Sequence, residues 1–108
     1  MENRTPTMRA LSMIGLCKKA GRLLSGVPIV CDALREGRVH LVVYASGAAE
    51  NSVKRVCDKA NSYSTAAIAV DASPEALGKS IGKPGAVAAV GILDAGFAAA
   101  IQKILEEK

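Results

Sequence analysis

The stretch that most restricts the fold is Ser25 to Ala45, SGVPIVCDALREGRVHLVVYA, because it sets a helix directly before a buried strand. Ser25 can accept backbone N–H bonds as an N-cap. Pro28 stands in the first turn, where its missing N–H does no harm, and Gly37 suits the left-handed position just past a helix end. Val27, Val30, Cys31 and Leu34 recur at steps of three and four residues, so one face of this helix is apolar and must pack on a sheet. Asp32, Arg35 and Glu36 fall on other faces. The run Val39-His40-Leu41-Val42-Val43-Tyr44-Ala45 then reads as a core strand.

The rest of the chain repeats this alternation. Met1 to Pro6 is polar and expected to fray, and Thr7 can cap a helix to about Ala20, with Met8, Leu11, Ile14 and Cys17 inward. Lys18 and Lys19 fall in its last turn, where cations complement the helix dipole, and Gly21 ends it. Arg22 to Ser25 leaves room for a minimal strand. Past Ala45 comes the small-residue loop Ser46-Gly47-Ala48-Ala49. A third helix follows from Glu50-Asn51-Ser52 to about Asn61, with Val53, Val56, Cys57 and Ala60 inward. Ala66 to Val70 is a short apolar strand. Ser73-Pro74-Glu75 sets an N-cap, a first-turn proline and a first-turn acid for a fourth helix ending at Gly82. Lys83-Pro84-Gly85 turns the chain into a buried strand, Ala86 to Leu93. Asp94 caps a last helix with Phe97, Ile101, Ile104 and Leu105 apolar. Alternating elements joined by short connections predict one domain over residues 1–108, a three-layer α/β/α sandwich on a sheet of about four strands.

Hydrophobic residues are 50% of the chain and aromatics only 3%, so the core must be built from Ala, Val, Ile and Leu. Charge is unevenly placed. Residues 1–59 carry ten Lys/Arg against five acids, whereas residues 60–108 carry four against five. A basic half on a small domain points to a polyanion, nucleic acid first; an ordinary solvated basic surface is the bland alternative. Cys17, Cys31 and Cys57 are odd in number and far apart, which fits reduced thiols in a cytoplasmic protein better than zinc ligands or a disulfide framework. No stretch is long and apolar enough to span a membrane, and the order of charges around Met8 to Cys17 is the reverse of a secretory signal's.

Catalytic motifs are missing. Gly78-Lys79-Ser80 would need a glycine five positions before it to form a phosphate loop, and position 73 is a serine set to cap a helix. His40 is the single histidine, with no nucleophile or orienting carboxylate near it in sequence, so a packed or edge role outweighs a catalytic one. One histidine and three separated cysteines make no metal constellation, and no cofactor is expected.

Three stretches together resemble the kink-turn-binding ribosomal-protein superfamily, the group of archaeal ribosomal protein L-seven-Ae and eukaryotic L-thirty-e. They are Lys18-Lys19-Ala20-Gly21-Arg22-Leu23-Leu24-Ser25-Gly26, Ala33 to Val42, and Leu77-Gly78-Lys79-Ser80-Ile81-Gly82-Lys83. Asn51 to Arg55 and Asp94 to Ala98 are similar to runs of its small bacterial YlxQ-type branch. The resemblance covers about Thr7 to Leu105. It implies a mixed sheet, no catalysis, and binding of structured RNA, ribosomal or otherwise kinked, with the ribosome as a further partner and no DNA specificity. It also implies that three loops hold the RNA, here Ser25 to Ile29, Ser46 to Glu50 and Gly82 to Ala86. The residues this points to are Lys18, Lys19, Arg22, Gly26, Val27, Pro28, Asn51, Lys54, Lys79, Gly82 and Lys83.

The superfamily's G-x-N-E-x-x-K signature is only partly present. Gly26 is kept, but Pro28 stands for Asn, Ile29 for Glu and Asp32 for Lys. Proline gives no donor, isoleucine no polar contact to a base edge, and aspartate the wrong sign for a phosphate. RNA reading is therefore expected to rest on phosphate and shape. Isolated Tyr44, Tyr63 and Phe97 argue against a stacking platform for single strands. A protein-docking module on the same scaffold, with Pro28 and Ile29 in an apolar patch, stays open beside this reading.

Overall fold

A computed structural model describes residues 5–107, in the order α1 (Pro6–Lys19), β1 (Leu23–Ser25), α2 (Val27–Arg35), β2 (Leu41–Ala45), α3 (Glu50–Ser62), β3 (Ala67–Val70), α4 (Pro74–Ser80), β4 (Ala89–Ile92) and α5 (Ala95–Leu105). The sheet order is β1-β4-β2-β3, with β2 and β3 parallel and β4 antiparallel to both β1 and β2. The sheet is mixed and four-stranded, as expected.

Successive strand side chains point to opposite faces, and this alternation divides the core in two. Leu23, Leu41, Val43, Ala45, Val70, Val90 and Ile92 face α1, α4 and α5, meeting Ile14, Cys17, Leu77 and Ile101. Val42, Tyr44, Ala67 and Ala89 face α2 and α3, meeting Val30, Cys31, Leu34, Val56 and Ala60. The three layers of an α/β/α sandwich follow. Gly91 lies on the second face, where an added Cβ would sit 3.3 Å from Val39 and 3.4 Å from Val30, so the missing side chain lets α2 lie close on β4.

Several boundaries differ from the sequence reading, each for a local reason. Helix α1 is capped by Thr5, whose hydroxyl accepts from the Met8 N–H at 3.1 Å, with Pro6 at the first helical position. The expected Thr7 cap is thus displaced by a threonine that a proline follows. Met8 is 51% exposed, and Ala10 joins Ile14 and Cys17 on the buried face. Met1 to Arg4, the rest of the segment expected to fray, lie outside the described residues. Ser25 does not cap α2. It is the buried last residue of β1, paired with Val90, and Gly26 caps at φ 98° with no side-chain bond. Pairing with β4 outcompeted the local cap. β2 begins at Leu41, leaving Val39 and His40 before it, and β4 is confined to Ala89–Ile92, because its partners β1 and β2 extend no further. The Ser73 and Asp94 caps form as expected, accepting from Ala76 N–H at 3.0 Å and Phe97 N–H at 2.9 Å.

Candidate nucleic-acid interface

Strand register brings the three expected loops to one end of the sheet. Ser25 pairs with Val90, Tyr44 with Ala89 and Ala45 with Val70, so β1, β2 and β3 end where β4 begins. The Gly26 N–H donates to the Ala89 carbonyl at 3.0 Å and the Ala45 N–H to the Ala88 carbonyl at 2.9 Å. Gly26, Val27 and Pro28, the loop after β2, and the segment entering β4 are therefore neighbours.

The loop after β2 is pinned to the one after β3. The Gly47 N–H donates to the Ala72 carbonyl at 3.3 Å, and the Ser46 hydroxyl to the Asp71 carboxylate at 3.5 Å. A Cβ on Gly47 would lie 3.4 Å from the Ser73 Cα. This fixes where α3 starts, and with it Asn51 and Lys54. Lys54 is already engaged with Asp58 at 2.9 Å, and that bond holds its ammonium above the ordinary lysine range.

The segment before β4 is held by glycine. An added Cβ on Gly78 would stand 2.0 Å from the Gly85 carbonyl oxygen, so residues 82–85 cross directly over α4 at that point. The Lys83 N–H donates to the Gly78 carbonyl at 2.9 Å, Gly82 adopts φ 76°, and the Val87 N–H returns to the Pro74 carbonyl at 2.9 Å. Lys79 and Lys83 thus share the C-terminal turn of α4, both exposed. That turn touches α1, where an added Cβ on Gly15 would meet the Ser80 carbonyl at 2.7 Å. Lys19 and Ser80 line the same groove, of about 440 Å³.

At the mouth of α2, Pro28 has no N–H, so the open amides of the first turn are those of Val27 and Ile29. Pro28 and Ile29 are exposed, Ile29 at 52%. Asp32 is paired with Arg35 at 3.0 Å. The acids Glu50 and Asp71 also lie at this end.

Lys18, Lys19 and Arg22 are not gathered there. The Leu93 N–H donates to the Arg22 carbonyl at 2.9 Å, which puts Arg22 before β1 while Gly26 follows it, about 13 Å apart at 3.3 Å per residue. Sequence spacing also missed two neighbours of Arg22. The His40 N–H donates to the Ile92 carbonyl at 2.8 Å, setting His40, and Arg38 two residues earlier, on the other side of the end of β4. Only the sheet order could have shown that.

No group of three His, Cys, Asp or Glu capable of holding a metal occurs among the described residues. Cys17, Cys31 and Cys57 are free thiols. No described helix is long and apolar enough to cross a membrane. Beneath α3, burial and then the neighbouring Cys57 push the Tyr44 phenol above its ordinary value, and burial raises Cys57 in turn.

The fold and this three-loop end define a small α/β/α sandwich of ribosomal-protein type. Residues 8–102 match the Ribosomal protein L7Ae/L30e/S12e/Gadd45 family, and the chain belongs to it. It is 34% identical over 99 residues to a protein of Bacillus subtilis (strain 168) named RNA-binding protein YlxQ, covering 92% of this chain and 97% of that one. A protein of the same name from Enterococcus faecium is 32% identical over 104 residues, covering 96% and 98%. Among solved structures, a protein with unknown function from Bacillus halodurans C superposes with a TM-score of 0.85 at 33% identity, over 92% of this chain and 98% of that one. The Giardia lamblia 15.5kD RNA binding protein shares the fold, with a TM-score of 0.78 at 16% identity over 98% and 92% of the two chains.

Proposed function

We propose that the protein is a cytoplasmic, non-catalytic RNA-binding protein that takes structured RNA, ribosomal or otherwise kinked, at the end of the sheet where α2 begins. The observation that carries this reading is the convergence of three glycine- and small-residue-rich segments at one sheet end, in a chain whose YlxQ relatives are named RNA-binding proteins. Beside Gly26 and the buried Val27, the exposed Pro28 and Ile29 of the first turn of α2 face the RNA, and Asn51 and Lys54 meet it from the first turns of α3. Gly82, with Lys79 and Lys83, approaches from the segment before β4. Contacts to phosphate fix position without reading bases; the side chains of Pro28 and Ile29 offer no hydrogen bond to guanine edges, and Asp32 is paired with Arg35. Affinity for a kink-turn and for a simple hairpin should therefore differ little.

Salt titration of binding to a ribosomal kink-turn RNA and to a plain hairpin of equal length tests this. Affinity should fall steeply with salt for both. Lys83→Glu, on an exposed side chain, should leave stability within about 0.5 kcal/mol and weaken both RNAs by placing a carboxylate against phosphate. A protein-docking patch is the competing reading, favoured by the 52% exposure of Ile29. Affinity indifferent to salt and to Lys83→Glu would support that alternative and end the RNA reading.

A further inference from the structure

The basic residues that RNA binding would use are divided along the sheet, and several without a partner crowd the end away from α2. Arg22 and His40 flank the last residues of β4, about 10 Å apart across two strand spacings of 4.8 Å. Lys18 and Lys19 reach the same end from the last turn of α1, whose closing bonds run from the Gly21 N–H to the Lys18 carbonyl and from the Arg22 N–H to the Cys17 carbonyl, both at 3.0 Å. Arg38 arrives from the turn after α2. All five side chains are exposed.

Partners do not account for them. Among the described residues, no acceptor is bonded to the side chains of Lys18, Lys19, Arg22 or His40. Arg38 makes a 3.3 Å pair with Glu36, both more than half exposed, an interaction weak enough for a phosphate to displace. Asp94, the other acid here, is half-buried and accepts from the Phe97 N–H as the cap of α5. The dipole of α1 explains two lysines in its last turn. It does not explain arginines brought to the same edge by β1 and by the turn before β2.

We propose that Lys18, Lys19, Arg22, Arg38 and His40 form a second RNA contact, a phosphate-binding platform at the end of the sheet opposite α2, so that one RNA is held at both ends. The inference rests on the RNA-binding reading above and extends it. Lys79 and Lys83 lie between the two ends, since the turn that carries them packs on α1 beside Lys19. The platform contains no Phe, Tyr, Trp, Asn or Gln, so its contacts are chiefly to the backbone and depend little on sequence.

The test uses the full chain with the same kink-turn RNA and hairpin. Lys18→Ala/Lys19→Ala/Arg22→Ala removes the platform, Lys54→Ala/Lys83→Ala damages the end at α2, and Lys103→Ala on α5 is the charge control. Circular dichroism confirms that each variant folds, as expected for exposed positions. The platform variant should reduce the slope of log affinity against log salt by about two to three and weaken both RNAs more than about tenfold at 0.1 M salt. Hydroxyl-radical footprinting should show it losing protection of an RNA segment distinct from the one lost in the α2-end variant.

A wild-type protein that binds neither RNA would remove the parent reading and this one together. Wild-type binding that falls with the α2-end variant but is unmoved by the platform variant would overturn the platform alone. So would an effect of Lys103→Ala as large as one third of the triple change, or loss of the same RNA segment in both variants.

Discussion

Replacing Gly78 by alanine tests how the segment before β4 is held. The new Cβ would stand 2.0 Å from the Gly85 carbonyl oxygen and 3.2 Å from its carbon, so α4 and residues 82–85 must separate by at least about 1 Å to reach a tolerable contact. Overpacking of this kind costs about 1–3 kcal/mol. Separation also breaks or stretches the 2.9 Å bond from the Lys83 N–H to the Gly78 carbonyl, for about 0.5–1.5 kcal/mol more. Alanine's better helix propensity returns up to about 1 kcal/mol. The net expectation is a loss of about 1–3 kcal/mol, a fall in Tm of about 4–20 °C for a domain of this size. Urea denaturation followed by circular dichroism measures it, with an unchanged m-value showing that the unfolded state is not the cause. Gly85→Ala is the control, since its Cβ would meet nothing within 4 Å, and should change stability by no more than about 0.5 kcal/mol. If Gly78→Ala proves as stable as the wild type, the close crossing of α4 by this segment is wrong, and so is its support of Lys83.

Two further expectations follow from single groups. Ser73→Ala removes the hydroxyl that accepts from the Ala76 N–H at 3.0 Å and should cost about 1 kcal/mol by the same denaturation assay. The Cys17 thiol is wholly buried, donates to the Arg22 carbonyl at 3.1 Å, and is pushed up from 9.0 to about 11 by burial and then by the Asp94 charge. Because the folded value lies above the unfolded one, its contribution to stability is complete below pH 9 and is lost as pH rises to about 11. Thermal melts across that range should show the decline, and iodoacetamide should modify native Cys17 more than about tenfold slower than the same cysteine in urea at pH 8.

Much of the architecture could be read from residue order because it depends on local chemistry. The apolar stripe Val27, Val30, Cys31 and Leu34 does face the sheet, Gly37 takes the left-handed conformation expected of it at φ 73°, and the Ser73 and Asp94 caps form. Where two local signals competed, tertiary pairing chose. Ser25 could cap a helix or end a strand, and its partner Val90 on β4, far along the chain, settled the matter. Thr5 and Thr7 offered equivalent hydroxyls, and the proline at position 6 selected the first.

The candidate interface divides along the same line. Residue identity alone determined that the start of α2 carries Pro28, Ile29 and Asp32, and that the basic residues lie mainly in the first half of the chain. Which cations stand together was a question of strand order. The extended β1 holds Arg22 away from Gly26, and pairing of β4 with both neighbours brings Arg22 toward His40, although Gly26 is much the nearer in sequence. Helical and turn preferences act over a few residues and are written in the chain, whereas the neighbours of a strand are set by how apolar faces can all be covered at once, which only the assembled sheet decides.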